Sequence, residues 1–175
     1  GDGEHLDLAG SRAWAMVDHQ FSHVFVPGAD RAVIEQVAKL FTRRQGFAEV
    51  LTSEQLPKYK LNHARSGELV LISSPNSWQA YYWWLDDARA PAFARAVDIH
   101  RKPGYDPVEL HFDPATKSIP LDATLVKGSH GAPVRDGSQQ TVLVASEPGL
   151  FPHRLVGDID VFEIVMRRFG IEPTR

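Results

Sequence analysis

The sequence predicts an α+β (α/β) fold: a small mixed sheet with helices on one face, followed by further core elements. Three observations predict it. Short β-type runs are separated by Pro, Gly and Asp punctuation. One stretch with helical apolar spacing, from Val33 to Phe41, lies between two of those runs. The texture then changes at Asp86, after which Pro, Gly and charge dominate. A small α+β unit is therefore expected over residues 12–85, and a loop-rich, motif-bearing region with C-terminal core elements over 86–175.

Each element follows from local chemistry. Ala13–Val17 and His23–Val26 read as strands, the second closed by Pro27-Gly28. Asp30 is a good N-cap. Val33, Ile34, Val37, Leu40 and Phe41 then share one helical face, Arg43 and Arg44 fall in the last turn, and Gly46 is the stop. Phe47–Leu51 returns as a strand, so residues 23–51 should form a strand–helix–strand unit. It buries Val33, Val37, Leu40 and Phe41 on a sheet. Thr52 and Gln55 suit a capping-box turn ending at Pro57. Glu68–Ser73 reads as an apolar strand and Ala80–Leu85 as an aromatic one. Val108–Phe112, Ala123–Val126 and Thr141–Ala145 are further strand candidates. Asp158 should cap a final helix with Val161, Phe162, Val165 and Phe169 facing the core and Gly170 as its stop.

Composition narrows the function classes. With 19 Lys+Arg against 22 Asp+Glu the net charge is −3, and no basic stripe is present. A binder of nucleic-acid polymers that works by neutralising phosphates is therefore not expected. No stretch approaches the roughly 20 apolar residues of a membrane helix, so no membrane partner is expected. The absence of cysteine excludes disulfides and thiolate zinc sites. Eight histidines leave imidazole–carboxylate metal chemistry open. The chain opens Gly1-Asp2-Gly3-Glu4 with no basic-then-apolar leader. A processed or trimmed start is the expectation, and localisation is not read from it.

Three polar constellations stand out. Asp18-His19, with His23 four residues on, would present both imidazoles on one face if the segment were a continuous strand. The competing reading is an ordinary polar strand edge. In Asp98-Ile99-His100-Arg101-Lys102-Pro103-Gly104-Tyr105-Asp106, Asp98 and His100 point the same way in extended backbone. They could ligate a metal, with Asp106 returning after Pro-Gly, while Arg101 and Lys102 suit an anionic substrate such as a phosphate. A salt-bridged turn that binds nothing explains the same residues. In Lys127-Gly128-Ser129-His130-Gly131, flanking glycines leave an imidazole accessible after an apolar run, or simply form a hairpin. Trp78, Tyr81, Tyr82, Trp83 and Trp84 could stack on a base or sugar, though core packing accounts for such a run as well.

Taken in order, these segments are similar to one family. They are Ala13-Trp14-Ala15-Met16-Val17-Asp18-His19-Gln20, His23-Val24-Phe25-Val26, Tyr81-Tyr82-Trp83-Trp84-Leu85-Asp86-Asp87, Asp98 to Pro107, and Gly128-Ser129-His130-Gly131. The succession resembles the C-terminal half, cap subdomain included, of the type I phosphodiesterase/nucleotide pyrophosphatase proteins of the alkaline phosphatase superfamily. The resemblance implies a parallel-rich α/β core flanked by a cap, with residues 12–85 as the cap-like subdomain and residues after about 120 rejoining the core. It implies two divalent metals, zinc with manganese or iron as alternatives, acting on a phosphate-ester small molecule, and a Thr or Ser nucleophile that is transiently phosphorylated. His130 matches the superfamily's late metal ligand. Asp98 and His100 belong to a family stretch and are read beside it as further ligands, with Arg101 and Lys102 as substrate-binding residues. The family's Asp-His-Gly ligand motif has no match, since Gln20 follows Asp18-His19.

The nucleophile and most ligands of that family are expected upstream of this sequence. The chain is thus expected to be a fragment or C-terminal half, inactive alone and associating with a missing N-terminal half. The alternative is a non-catalytic α+β module that binds a small ligand or a partner chain, favoured by the lack of an activated Ser or Thr in any recognisable elbow.

Overall fold

The computed structural model describes residues 3–80, 82–96, 111–151 and 153–173. The chain divides into two compact units, Gly1–Ala132 and Pro133–Arg175.

The first unit is a mixed α+β structure built on a four-stranded sheet. Its strands are β1 (Trp14–Asp18), β2 (Phe21–Phe25), β3 (Phe47–Thr52) and β4 (Leu69–Ser73), in the order β1-β2-β4-β3. Every neighbouring pair is antiparallel, so the sheet is not mixed as expected. β2 and β3 flank β4 and run parallel to each other. The helix α1 (Arg31–Phe41) is the crossover that this parallel relation requires. The strand–helix–strand unit therefore forms, but around an inserted central strand.

Alternation along β4 decides the core. All five of its residues are buried, and the four apolar ones, 69–72, form the continuous run expected of a central strand. Leu69 and Leu71 face α1 and pack with Val24, Ile34, Val37, Ala38 and Phe41. Val70 and Ile72 face the other way and pack with Leu51, Leu56, Phe21, Tyr59 and Leu61. That second layer is a short 3-10 turn, Leu56–Tyr59, entered by Gln55, whose carboxamide oxygen accepts from the Thr52 amide at 3.0 Å. Pro57 lies inside this turn and does not end it.

Gly67 enters β4 so close to β2 that a Cβ there would lie 2.5 Å from the Val24 carbonyl oxygen, so only glycine fits without displacing β2. Two side chains hold the same junction. The Gly67 amide donates to His23 Nδ1 at 3.1 Å, and the Val26 amide donates to Glu68 Oε2 at 2.7 Å.

α1 starts where expected. The Asp30 carboxylate accepts from the amides of Ala32 and Val33, at 2.9 and 3.3 Å. Asp30→Ala should therefore cost about 1 kcal/mol, read as a lower urea midpoint at unchanged slope. The helix spans the whole apolar run but ends before the two arginines expected in its last turn. Leu40 is 58 % exposed, and Arg43 and Arg44 lie beyond the last turn, Arg43 in the left-handed region at φ 62°. Thr42 ends the helix by returning its hydroxyl and its amide to the Ala38 carbonyl.

The aromatic segment does not form a strand at Ala80 or at residues 82–85. Tyr82 stacks on Trp84 at 4.9 Å, Trp83 meets Trp84 edge-on, and Trp84 is buried. Trp83 donates its indole N–H to the Glu4 carbonyl and Trp84 donates to the Asp87 carboxylate, so both polar handles are satisfied inside the cluster. Ala123–Leu125 is a 3-10 turn, capped by Asp122, where a strand was expected. Phe112 carries no strand, and residues 108–110 of that candidate lie outside the described residues.

The second unit holds α2 (Val161–Arg168), led in by a 3-10 turn at Asp158–Asp160. Asp158 opens that turn, while Asp160 precedes α2 and accepts from the Gly157 amide at 3.0 Å. The expected core face is turned outward, with Phe162 59 % and Phe169 77 % exposed and Val165 also exposed. Thr141–Ala145 is likewise unpaired, with Val142 88 % exposed. Both segments have the periodicity of buried elements but lack an apolar layer to cover them among the described residues of their unit. Among those residues no helix is long and apolar enough to cross a membrane.

Candidate metal centre

β1 and β2 are joined by only two residues, His19 and Gln20. The chain reverses there, so Asp18-His19 and His23 do not lie on one continuous strand as expected. His23 instead points to the β4 junction, where its Nδ1 accepts from Gly67. His19 takes the left-handed region at φ 52°. That is uncommon for a residue with a Cβ and costs on the order of 1–3 kcal/mol, so the surroundings must hold it.

They do so through the backbone. The Gln79 amide donates to the His19 carbonyl at 2.6 Å, and the Ser73 amide donates to the Gln20 carbonyl at 2.8 Å. The Gln20 amide donates to the His130 carbonyl at 3.3 Å, which brings the Gly128–Gly131 segment to the hairpin tip. Gly131 then passes at φ 94°, where a Cβ would press on the Phe21 ring at 3.0 Å. Its lack of a side chain lets the loop close on the sheet.

The result is a cluster of Asp18, His19 and His130, with one potential ligand atom from each and all of these within 4.8 Å of one another. The two imidazole rings lie 4.8 Å apart between centroids, and the Trp78 indole stacks on the His19 ring at 5.5 Å. Asp18 and His130 are exposed and His19 is half-buried. His19 Nδ1 is buried without a hydrogen-bond partner. Two imidazoles and a carboxylate are a donor set that suits zinc, manganese or iron. Tetrahedral donors at about 2.0–2.1 Å from one ion lie about 3.4 Å apart, so the three ligand atoms, within 4.8 Å of one another, share an ion once the side chains close by up to about 1.4 Å.

The electrostatics favour the neutral imidazole that a ligand must be. Burial, and then the neighbouring His130, push the His19 pKa below its ordinary 6.5, with Asp18 opposing them. Burial pushes His23 down as well. Both groups hold fewer protons folded than unfolded, so their contribution is intact above pH 6.5 and is lost as the pH falls below it. The urea midpoint of the metal-free protein should therefore drop between pH 7.5 and pH 5, and less so in His23→Gln. A midpoint rising over that window would contradict these environments.

Of the residues expected to form the site, His130 lies in this cluster. Asp98, His100, Arg101 and Lys102 fall outside the described residues. Asp18 and His19, read from sequence as a separate group with His23, join His130 instead. Trp78 and Gln79 were not anticipated in any positioning role. The β-type runs read from sequence, 13–17 and 23–26, leave five residues between them, whereas the strands extend to leave only two, a hairpin spacing. His19-Gln20 lacks the Gly or Asn that normally announces such a turn. In comparisons with known proteins no family model matches the chain, and no curated protein or solved structure gives a significant match.

Proposed function

We propose that Asp18, His19 and His130 hold a divalent metal ion, and that this centre serves a metal-dependent phosphoric ester hydrolase of the type I phosphodiesterase/nucleotide pyrophosphatase kind. The observation that carries the reading is the meeting of His19, with its orphaned buried nitrogen, and His130 beside a carboxylate at the hairpin tip. The ordered motif series supports the hydrolase class, and the same reading assigns residues 86–175 partly to an alkaline-phosphatase-like α/β core. A bound ion would polarise a phosphoryl oxygen and stabilise charge developing on it. The residues of this chain then have distinct tasks. His19 and His130 offer imidazole nitrogens, Asp18 offsets part of the metal charge, and Trp78 shields one face of His19 from water. Arg101 and Lys102 are assigned to the anionic ester, and Asp98 and His100 to further ligation.

The test has two parts. Zinc titrated into the chain by calorimetry should be taken up by the wild type and not by His130→Ala. The zinc-loaded chain should not turn over a nitrophenyl phosphodiester, because none of its motifs matches the family nucleophile. Failure of zinc uptake overturns the metal centre. Zinc-dependent turnover that disappears in His130→Ala would place the nucleophile within these residues and overturn the division of labour.

A further inference from the structure

The α1 face of the sheet ends in an unusual way. Leu69 and Leu71 are followed on the same face by Ser73, and Val24 is preceded there by Ser22. Both serines are buried, Ser22 completely. Buried hydroxyls at the end of an apolar stripe cost stability unless something satisfies them. One side chain does. Gln79 Oε1 accepts from Ser22 Oγ at 2.6 Å, while Gln79 Nε2 lies 3.1 Å from Ser73 Oγ and donates to the Leu71 carbonyl at 3.2 Å. The Leu71 carbonyl can only accept, so it fixes which end of the carboxamide faces β4.

The backbone of the same residue faces the other way. Its amide makes the 2.6 Å bond to the carbonyl of the strained His19. Its two predecessors grip the same loop. The Ser77 carbonyl accepts from Gln20 Nε2 at 3.2 Å, and Trp78 stacks on His19. Three consecutive residues thus hold the hairpin tip, and the Gln79 carboxamide ties them to the buried ends of β2 and β4.

We propose that Gln79 is a positioning residue for the metal centre: its side chain locks residues 77–79 to the sheet so that its amide and Trp78 hold His19 against His130. The inference rests on the proposed metal centre for its purpose, but the ring placement can be measured without metal. In the metal-free wild type, NMR should show an NOE between the His19 and His130 rings and a ring-current shift of His19 from Trp78. Gln79→Ala should lose both and bind cobalt(II) at least about tenfold more weakly, the range expected when a partner behind a ligand is removed. Val37→Ala, which loosens the same core from the α1 side, is the control for general destabilisation. It should keep the NOE and bind cobalt within about twofold of wild type.

The proposal is overturned if Gln79→Ala keeps the NOE and the affinity, if Val37→Ala loses them to the same extent, or if the wild type shows no NOE. If the wild type shows the NOE but binds no cobalt, the metal reading fails and the effect of Gln79→Ala on the NOE alone decides the positioning role. Should Gln79→Ala not fold, the combined Ser22→Ala, Ser73→Ala, Gln79→Met variant removes all three polar side chains together at small net cost and is read in the same way.

Discussion

Leu71→Ala is expected to cost about 2–5 kcal/mol, the range for deleting a buried leucine side chain from a core that cannot collapse around the gap. Leu71 sits in the central strand, is 2 % exposed, and packs in the layer between the sheet and α1. The strands on either side are fixed by backbone pairing, and Gly67 already lies against β2, so little movement is available to fill a cavity. Val142→Ala removes a comparable apolar group from an exposed, unpaired segment and should fall within about 0.5 kcal/mol of wild type. Urea unfolding of both variants checks the contrast. A Leu71→Ala cost below about 1 kcal/mol would mean that the described core is not the one that holds the first unit together.

The second large effect is expected at the metal centre. His130→Ala and His19→Ala should each weaken zinc binding by more than about a hundredfold, since each removes a proposed ligand and not merely the partner behind one. His63→Ala should leave affinity unchanged. His63 is exposed, its Nδ1 accepts a local bond from the Arg65 amide, and it belongs to no group of three potential ligands among the described residues. Binding should also weaken as the pH falls below the ordinary imidazole range, because protons compete for the ligand nitrogens. Equal losses in all three variants would point to surface histidines binding zinc without a site.

Where a single local force decides the outcome, the sequence was readable. Asp30 caps α1 because a carboxylate beside free helix amides has few better uses, and residues 69–72 are buried because four consecutive apolar residues in a central strand must be. Where the outcome depends on which segments meet, periodicity misled. Thr141–Ala145 and the Phe162–Phe169 face carry buried-type patterns but are exposed within their unit. The aromatic residues of Ala80–Leu85 have strand propensity, but Trp83 and Trp84 spend their indole N–H groups on Glu4 and Asp87. The centre was half legible. Glycines marked His130 as accessible, and Asp18-His19 was visible as a donor pair. What joins them is a turn that lacks the usual turn residues, held by Gln79 from a distant segment. Local pattern reading has no access to such a contact.

The most direct measurement is the set of histidine ring signals of the full chain, followed by NMR during a zinc titration. The rings of His19 and His130 should shift together and saturate together, while those of His23 and His63 stay in place. Saturation confined to other histidines, or no coupled change at His19 and His130, would contradict the metal centre itself.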